Sequence, residues 1–163
     1  MRMRENMKDI YQVLSNDETL LRLLYYKADH LDDDVTVASP KRPDVLSLPI
    51  SEKWEIINDV IKNIPKVNDL DGQKKCRLLF YPSRRYSNGS YYSSAQSIVI
   101  DVLVHMDYEN DFRMEWICHR VTDLLSNERI TGVGKITFDD GNQIGTPTDY
   151  IGYRLTYSFG SVN

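Results

Sequence analysis

The chain has 163 residues, of which 41% are hydrophobic and 27% are charged, and its formal net charge at pH 7 is −4. This length and composition predict one folded domain over residues 1–163 and exclude wholesale disorder. The negative net charge argues against a general nucleic-acid binder, whose affinity depends on an excess of Lys and Arg.

The N-terminal stretch MRMRENMKDI is charged and is not followed by the apolar run of a signal peptide or a transmembrane helix. We therefore expect no membrane role. Residues 1–6 are expected to be a frayed lead-in, because helical spacing of apolar residues begins near Met7. Ser15 and Glu18 form a capping-box pattern, which predicts a break and then a second helix through about Tyr26.

Residues 27–50 contain three prolines within ten positions and are called here the Pro-rich segment. Proline disfavours helix in its own and the preceding residue, so the segment is expected to be an extended excursion that serves function or contacts a partner. The acidic run at residues 32–34 lacks EF-hand spacing and is interpreted as a solvated turn. Ser51 is then predicted to cap an amphipathic helix that stops at Pro65. Its apolar stripe comprises Trp54, Ile57, Val60, Ile61 and Ile64.

The second half of the chain predicts strands around one helix. The strands are expected at CRLLFY, SIVIDVLVHM, ITGVGKITF and YIGYRLTYSF, and the helix follows the acidic DYENDF. Alternation predicts that one face of the second strand comprises Ile98, Ile100, Val102, Val104 and Met106. In the last strand, the predicted shared face comprises Ile151, Tyr153, Leu155, Tyr157 and Phe159. The predicted apolar side of the helix comprises Met114, Ile117, Cys118, Val121, Leu124 and Leu125. The stretch FDDGNQIGTPTD is interpreted as a turn-rich connection. The predicted fold class is α+β: N-terminal helices precede an antiparallel or mixed β-sheet with one helix packed across it. The order in residues 76–163 is β-β-α-β-β.

The glycine pair in TGVGKIT suggests a phosphate-binding loop, but the pattern fails at two positions. A P-loop requires glycine where Arg129 stands and Ser or Thr where Ile136 stands. Gly132 and Gly134 are therefore expected to serve a tight turn or a strand bulge.

No pattern in the sequence indicates catalysis, a cofactor or a metal. The candidate metal ligands lack the spacing of paired His ligands, and their acids are explained by helix capping; they are His105, Asp107, Glu109, Asp111 and His119. Cys76 and Cys118 are interpreted as reduced, buried thiols. No serine lies in a GxSxG motif, so we predict that the protein is not an enzyme.

The stretch LFYPSRRYSNGSYYSSAQ, residues 79–96, places two arginines and four tyrosines between two predicted strands. Arginines beside aromatic residues are typical of proteins that bind single-stranded nucleic acid. The same residue types are also enriched among the anchors of protein–protein interfaces. A long hairpin loop that contacts another protein is the second interpretation.

The succession CRLLFYPSRR, SIVIDVLVHMDYEN, WICHRVTDLL, RITGVGKITF and DYIGYRLTYSFGSVN resembles the neck proteins of long-tailed bacteriophages. It is most similar to the tail terminator, or head-to-tail joining, family and its prophage relatives. The resemblance covers residues 76–163 and rests on strand order and loop style. It implies a structural ring, usually of six subunits, that caps the tail tube, stops its elongation and joins it to the head-completion complex.

The resemblance also implies partners and a location. The partners are further copies in the ring, the tail tube protein and a head-completion or connector protein, with DNA only passing through the lumen. The protein would be part of the virion neck or tail, assembled in the host cytoplasm. The residues assigned to the subunit or tail-tube interface are Arg84, Arg85, Tyr86, Tyr91, Tyr92, Asp139 and Asp140.

Two alternatives stay open at this point. Within the same particle, the chain would be a head-completion (stopper) or tail-completion protein. In a different class, it would be a small nucleic-acid-binding or nuclease module that uses Arg84, Arg85 and the tyrosines.

Overall fold

A computed structural model describes residues 3–87, 94–132 and 134–159, with the backbone alone for residues 86, 87, 94 and 95. The helices are α1 (Met3–Ser15), α2 (Glu18–Tyr25), α3 (Ile50–Val60) and α4 (Arg113–Leu125), with short 3-10 helices at Val45–Ser47 and Met106–Asp111. The strands are β1 (Ile61–Lys62), β2 (Cys76–Ser87), β3 (Ser94–His105), β4 (Thr137–Gln143) and β5 (Tyr150–Phe159).

The strands form one mixed sheet in the order β1-β2-β3-β5-β4. β1 pairs with β2 in parallel, and every other neighbouring pair is antiparallel. The predicted α+β class, with helices preceding a mixed sheet and one helix packed on it, is confirmed. The added strand β1 is two residues long, too short for a periodicity signal.

The helices cover one face of the sheet, and the main core lies between the two layers. Alternation places the main-core residues of β2, β3 and β5 on this face, as the period of two predicted. β4 contributes none, because its residues are exposed or half-buried. The α4 stripe of Met114, Ile117, Cys118, Val121 and Leu125 is buried against it, also as predicted. The sheet face that carries the core is thus set by sequence pattern alone.

The opposite face has a smaller apolar cluster of Leu70, Leu79, Leu103 and Tyr150. Beside it lies Arg77, a fully buried arginine on β2. Its guanidinium donates to both Asp69 carboxylate oxygens, at 2.6 and 3.0 Å, and to Asp59 Oδ1 at 2.9 Å. The Arg77 guanidinium, through these hydrogen bonds, lowers the pKa of Asp69 to about 2.

This ion pair predicts an acid-sensitive contribution to stability. The folded-state pKa of Asp69 lies below its ordinary value of 3.8, so the contribution is complete above that value and is lost as pH falls towards about 2. Asp69→Asn should flatten the fall in the free energy of unfolding across this window, measured by urea denaturation at several pH values. Asp71→Asn is the matched control, because Asp71 is exposed. Parallel curves for wild type and Asp69→Asn would contradict the assignment.

The N-terminal predictions need two corrections. Helix α1 begins at Met3, so residues 3–6 are helical and are not part of a frayed lead-in; Asn6 is buried. The cap of α2 is Asp17, whose carboxylate accepts from the Leu20 amide at 2.9 Å. Ser15 closes α1 instead, and Glu18 accepts from the amides of Val45 and Leu46.

Those Glu18 contacts help to order the Pro-rich segment, which is folded onto the helices. Arg22, buried in α2, donates to the carbonyls of Val35, Val37 and Arg42 at 2.8–3.3 Å. It also pairs with Asp44 at 2.8 Å and with Glu18 at 3.1 Å. The acidic run is partly engaged as well, because Asp33 forms a bidentate pair with Arg42 at 2.7 Å. The segment has the irregular backbone that was expected, but hydrogen bonds to Arg22 and Glu18 hold it against α2.

Helix α3 is shorter than predicted and is capped differently. It begins at Ile50 after Pro49, with no side-chain cap, so Ser51 is not its N-cap. It ends at Val60, and Ile61 enters β1. Only the middle of the predicted stripe is buried, since Trp54 is 42% and Ile64 58% exposed.

The connection after α4 was assigned wrongly. Residues 130–132 and 134–136 are not in a strand: Thr131 and Gly134 form an isolated bridge, and Gly134 takes a φ of +115°, as a tight turn requires. The strand β4 instead contains Asp139 and Asp140, which had been assigned to a turn. A polar sequence such as TFDDGNQ carries no strand signal, because its residues are exposed and only pairing with β5 makes it a strand.

Candidate interaction site

The stretch at residues 79–96 is largely two paired strands and not a long loop. β2 extends to Ser87 and β3 begins at Ser94, with Tyr86 opposite Ala95 in the ladder. Tyr91 and Tyr92, both assigned to the interface, lie outside the described residues. The two arginines therefore stand on an extended arm of the sheet.

A bulge between Pro82 and Arg85 turns this part of β2. Buried Gln96 stabilises it: its amide nitrogen donates to the Arg84 carbonyl at 2.7 Å, and its Oε1 accepts from Arg85 Nε at 3.0 Å. Arg84 and Arg85 are nevertheless exposed. The bulge holds both arginines at the outer edge of the sheet.

An open groove of about 490 Å³ adjoins the same edge, between α1 and β2. Its apolar side chains are Met3, Met7, Tyr11, Phe80 and Pro82, and its polar ones are Arg4, Lys8, Asn63 and Arg85. β1 pairs with β2 only at Leu78 and Leu79, so it stops short of Pro82. The groove is therefore an apolar depression with three cationic side chains around it.

The opposite edge of the sheet is β4, and it is acidic. Its residues, which include Asp139 and Asp140, are exposed, except that Gly141 is half-buried. Phe138, 41% exposed, stacks edge-on against Tyr157 at 5.5 Å between ring centroids. Asp139 accepts a hydrogen bond from the Ser158 hydroxyl at 2.9 Å.

The structure therefore splits the predicted interface residues into two surfaces. Arg84, Arg85 and Tyr86 belong to the edge at β2, whereas Asp139 and Asp140 belong to the edge at β4. Sequence reasoning missed the groove residues and Phe138. For Phe138, its position directly before two acids was the available signal. The groove has no such signal, because α1 and β2 are far apart in the sequence.

The candidate metal ligands have structural contacts instead. Glu109 accepts from the Met114 amide at 3.0 Å and so caps α4. Asp111 binds Arg113, and His105 Nδ1 accepts from the Asp107 amide at 3.1 Å. Within residues 3–87, 94–132 and 134–159, no group of three or more His, Cys, Asp or Glu could hold a metal ion.

Both cysteines are buried thiols, as predicted. Desolvation by burial raises the pKa of Cys76 to about 12 and that of Cys118 to about 12. Neither thiol is therefore an accessible nucleophile at neutral pH.

Comparison with known proteins assigns the family. The YomW family model matches residues 17–159, which include the Pro-rich segment, both sheet edges and α4. The chain belongs to the YomW family. A member of the YomW family, the SPbeta prophage-derived uncharacterized protein YomW of Bacillus subtilis (strain 168), is 33% identical over 168 aligned positions. The match covers 96% of this chain and 96% of that protein.

None of the helices in the described part of the chain has the length and apolar character needed to span a bilayer.

Proposed function

We propose that this YomW-family protein is a structural, non-enzymatic subunit of a phage neck or tail. It forms a ring that caps the tail tube, stops its elongation and joins it to the head-completion complex. Two findings support the proposal: a relative whose name records a prophage origin, and the resemblance of residues 76–163 to tail terminator proteins. The proposed partners are further copies of the chain, the tail tube protein and a head-completion or connector protein. DNA passes through the lumen of the ring.

The observation that carries the proposal is the pair of dissimilar edges on one sheet. One edge has a basic bulge beside an apolar groove, and the other is an exposed acidic strand. A head-to-tail ring needs two different, complementary patches on every subunit. A ring that closes through such edges and docks on the tube, without repeating the tube's polymerising surface, would stop growth mechanically.

The first experiment measures assembly. The purified protein, alone and with tail tubes, should give a discrete oligomer by light scattering and a ring at one tube end by electron microscopy. Tubes polymerised in its presence should be shorter than tubes polymerised alone. If the labelled protein instead lies next to the head and away from the tube end, it has a head-completion role.

Replacement of both bulge arginines tests the interface. Arg84→Ala with Arg85→Ala should impair joining of tails to heads while leaving the far-UV circular dichroism near wild type, because both side chains are exposed. The melting temperature should fall slightly, because buried Gln96 loses the hydrogen bond from Arg85 Nε. Arg129→Ala with Lys135→Ala is the matched control, since these exposed cations lie elsewhere. Normal tail joining by the arginine variant would contradict the role of the bulge.

The same variant separates this function from nucleic-acid binding. A nucleic-acid module predicts DNA binding at low salt that weakens as ionic strength rises and falls when both arginines are removed. DNA binding of that kind by a protein that stays monomeric would replace the structural proposal.

A further inference from the structure

The two edge surfaces lie at the same height along the strands. Pro82, Ile98, Tyr157 and Phe138 are successive register partners across β2, β3, β5 and β4. Neighbouring strands are about 4.8 Å apart, so Phe138 lies roughly 14 Å from Pro82 across the sheet and at the same position along the strand direction. All four side chains point to the helix-covered face, because directly opposed residues share a face.

A closed ring requires that arrangement. A subunit related to its neighbour by rotation alone has no rise, so two patches that meet must lie at one height along the axis of rotation. Patches at different heights would give a helix or a filament. With the strands along that axis, Phe138 of one copy arrives level with Pro82 of the next, where the groove is open.

The chemistry of the two surfaces is complementary. Phe138 is an exposed aromatic ring, and the groove offers two methionines, a phenylalanine and a proline. The charges of the two edges are opposite in sign: the β4 edge has Asp139 and Asp140 after Phe138, and the β2 edge has Arg84 and Arg85 at its bulge and Arg4 and Lys8 at the groove. The strand register places the two acids on the sheet face opposite Phe138 and Arg85 on the groove side, so the attraction acts between whole edges. Methionine side chains adapt to an inserted ring, and opposite charges fix its register.

We infer that the β4 edge of one subunit docks on the outer edge of β2 in a second copy of this chain. Phe138 fills the groove between α1 and β2, and the acidic β4 edge meets the basic β2 edge without assigned one-to-one ion pairs. The inference rests on the proposed ring and names its two contacting surfaces. Pro82 has no N–H to donate, so the contact is made by side chains and not by a continuous β-ladder.

Disulfide trapping tests the juxtaposition. Pro82→Cys with Phe138→Cys on one chain should give a ladder of covalent oligomers up to the ring size under mild oxidation. Each single variant should stay monomeric on a denaturing gel, because a head-to-tail contact never brings two copies of one residue together. The native thiols do not interfere, since both are buried. Dimers from a single variant would overturn the head-to-tail arrangement.

Charge reversal tests the attraction between the two edges without new thiols. Asp139→Lys with Asp140→Lys should raise the dissociation constant of the oligomer about tenfold or more, which corresponds to about 1.4 kcal/mol. Arg84→Asp with Arg85→Asp should do the same, and the four changes combined on one chain should restore association. Because these charges are exposed, wild-type association should also weaken with rising ionic strength.

The outcomes separate this contact from the ring itself. A wild-type ring with no covalent ladder and no effect of charge reversal would overturn the contact and leave the proposed function standing. A wild-type protein that stays monomeric both alone and with tail tubes would overturn both. A ladder together with recovery in the fourfold variant would support the contact.

Discussion

Arg113→Met is expected to lower the free energy of unfolding by about 3 to 5 kcal/mol, because it removes one partner of a fully buried ion pair. The Arg113 side chain is 0% exposed and that of Asp111 is 1% exposed, at a distance of 2.8 Å. The same guanidinium donates to the carbonyl of Leu23 at 2.7 Å and to that of Tyr26, at the end of α2. Its loss leaves a buried carboxylate and two helix-end carbonyls without their donor.

The measurement is urea denaturation at a fixed protein concentration, because assembly would otherwise change the apparent stability. Asp111→Leu with Arg113→Met should recover part of the loss, since the buried charge is removed, though the α2 carbonyls remain unpaired. Arg129→Met, at an exposed position, is the control and should change stability by less than about 0.5 kcal/mol. A loss below about 1 kcal/mol in Arg113→Met would show that the pair is not a main link between α4 and α2.

Arg22→Met is expected to cost about 2 to 4 kcal/mol and to loosen the Pro-rich segment in particular. The guanidinium reaches three carbonyls of that segment and two carboxylates, so its removal leaves several acceptors unpaired at once. The cost is set below that of Arg113→Met because Asp44, one of its partners, is 47% exposed.

Limited proteolysis separates local from global effects of this change. Arg22→Met should be cut within residues 27–50 under conditions in which wild type is intact, while the sheet stays protected. Arg22→Lys is the informative second variant: it keeps the charge but lacks the planar fork that serves five acceptors, so it should be cut at an intermediate rate. Equal cleavage of wild type and Arg22→Met would mean that the segment is held by its apolar residues, such as Val35 and Val45.

The burial of Arg22 and Arg113 could not be predicted from the sequence. Arg22 stands among leucines in a helical stripe and Arg113 follows an acidic stretch, so linear pattern suggests solvent-facing charges. Apart from Glu18 and Asp111, which are close in sequence, their acceptors lie between 13 and 90 residues away. Burial of an arginine is decided by which carbonyls and carboxylates the fold gathers around it, and no local pattern records that.

The same reasoning explains the interface residues. Arg84 and Arg85 were picked out because they stand beside tyrosines, and the structure does leave them exposed. Phe138 lies at the junction of the predicted strand ITGVGKITF and the predicted turn-rich connection FDDGNQIGTPTD, and neither pattern indicates an interface. Its place in one row with Pro82 depends on the register of four strands, which alternation within a single strand does not supply.

Amino-acid pattern alone predicts the α+β class, the core-facing sides of β3, β5 and α4, and the burial of both cysteines. These follow from periods of two and of three to four residues, which hold wherever one face is buried. Three features are visible only in the folded chain. Arg22 holds the Pro-rich segment by hydrogen bonds, and TFDDGNQ is an edge strand. The basic groove and the acidic strand lie at opposite edges of the sheet, at the two ends of one row of register partners. Those features arise from contacts between residues far apart in the chain, whose partners are chosen by packing and register.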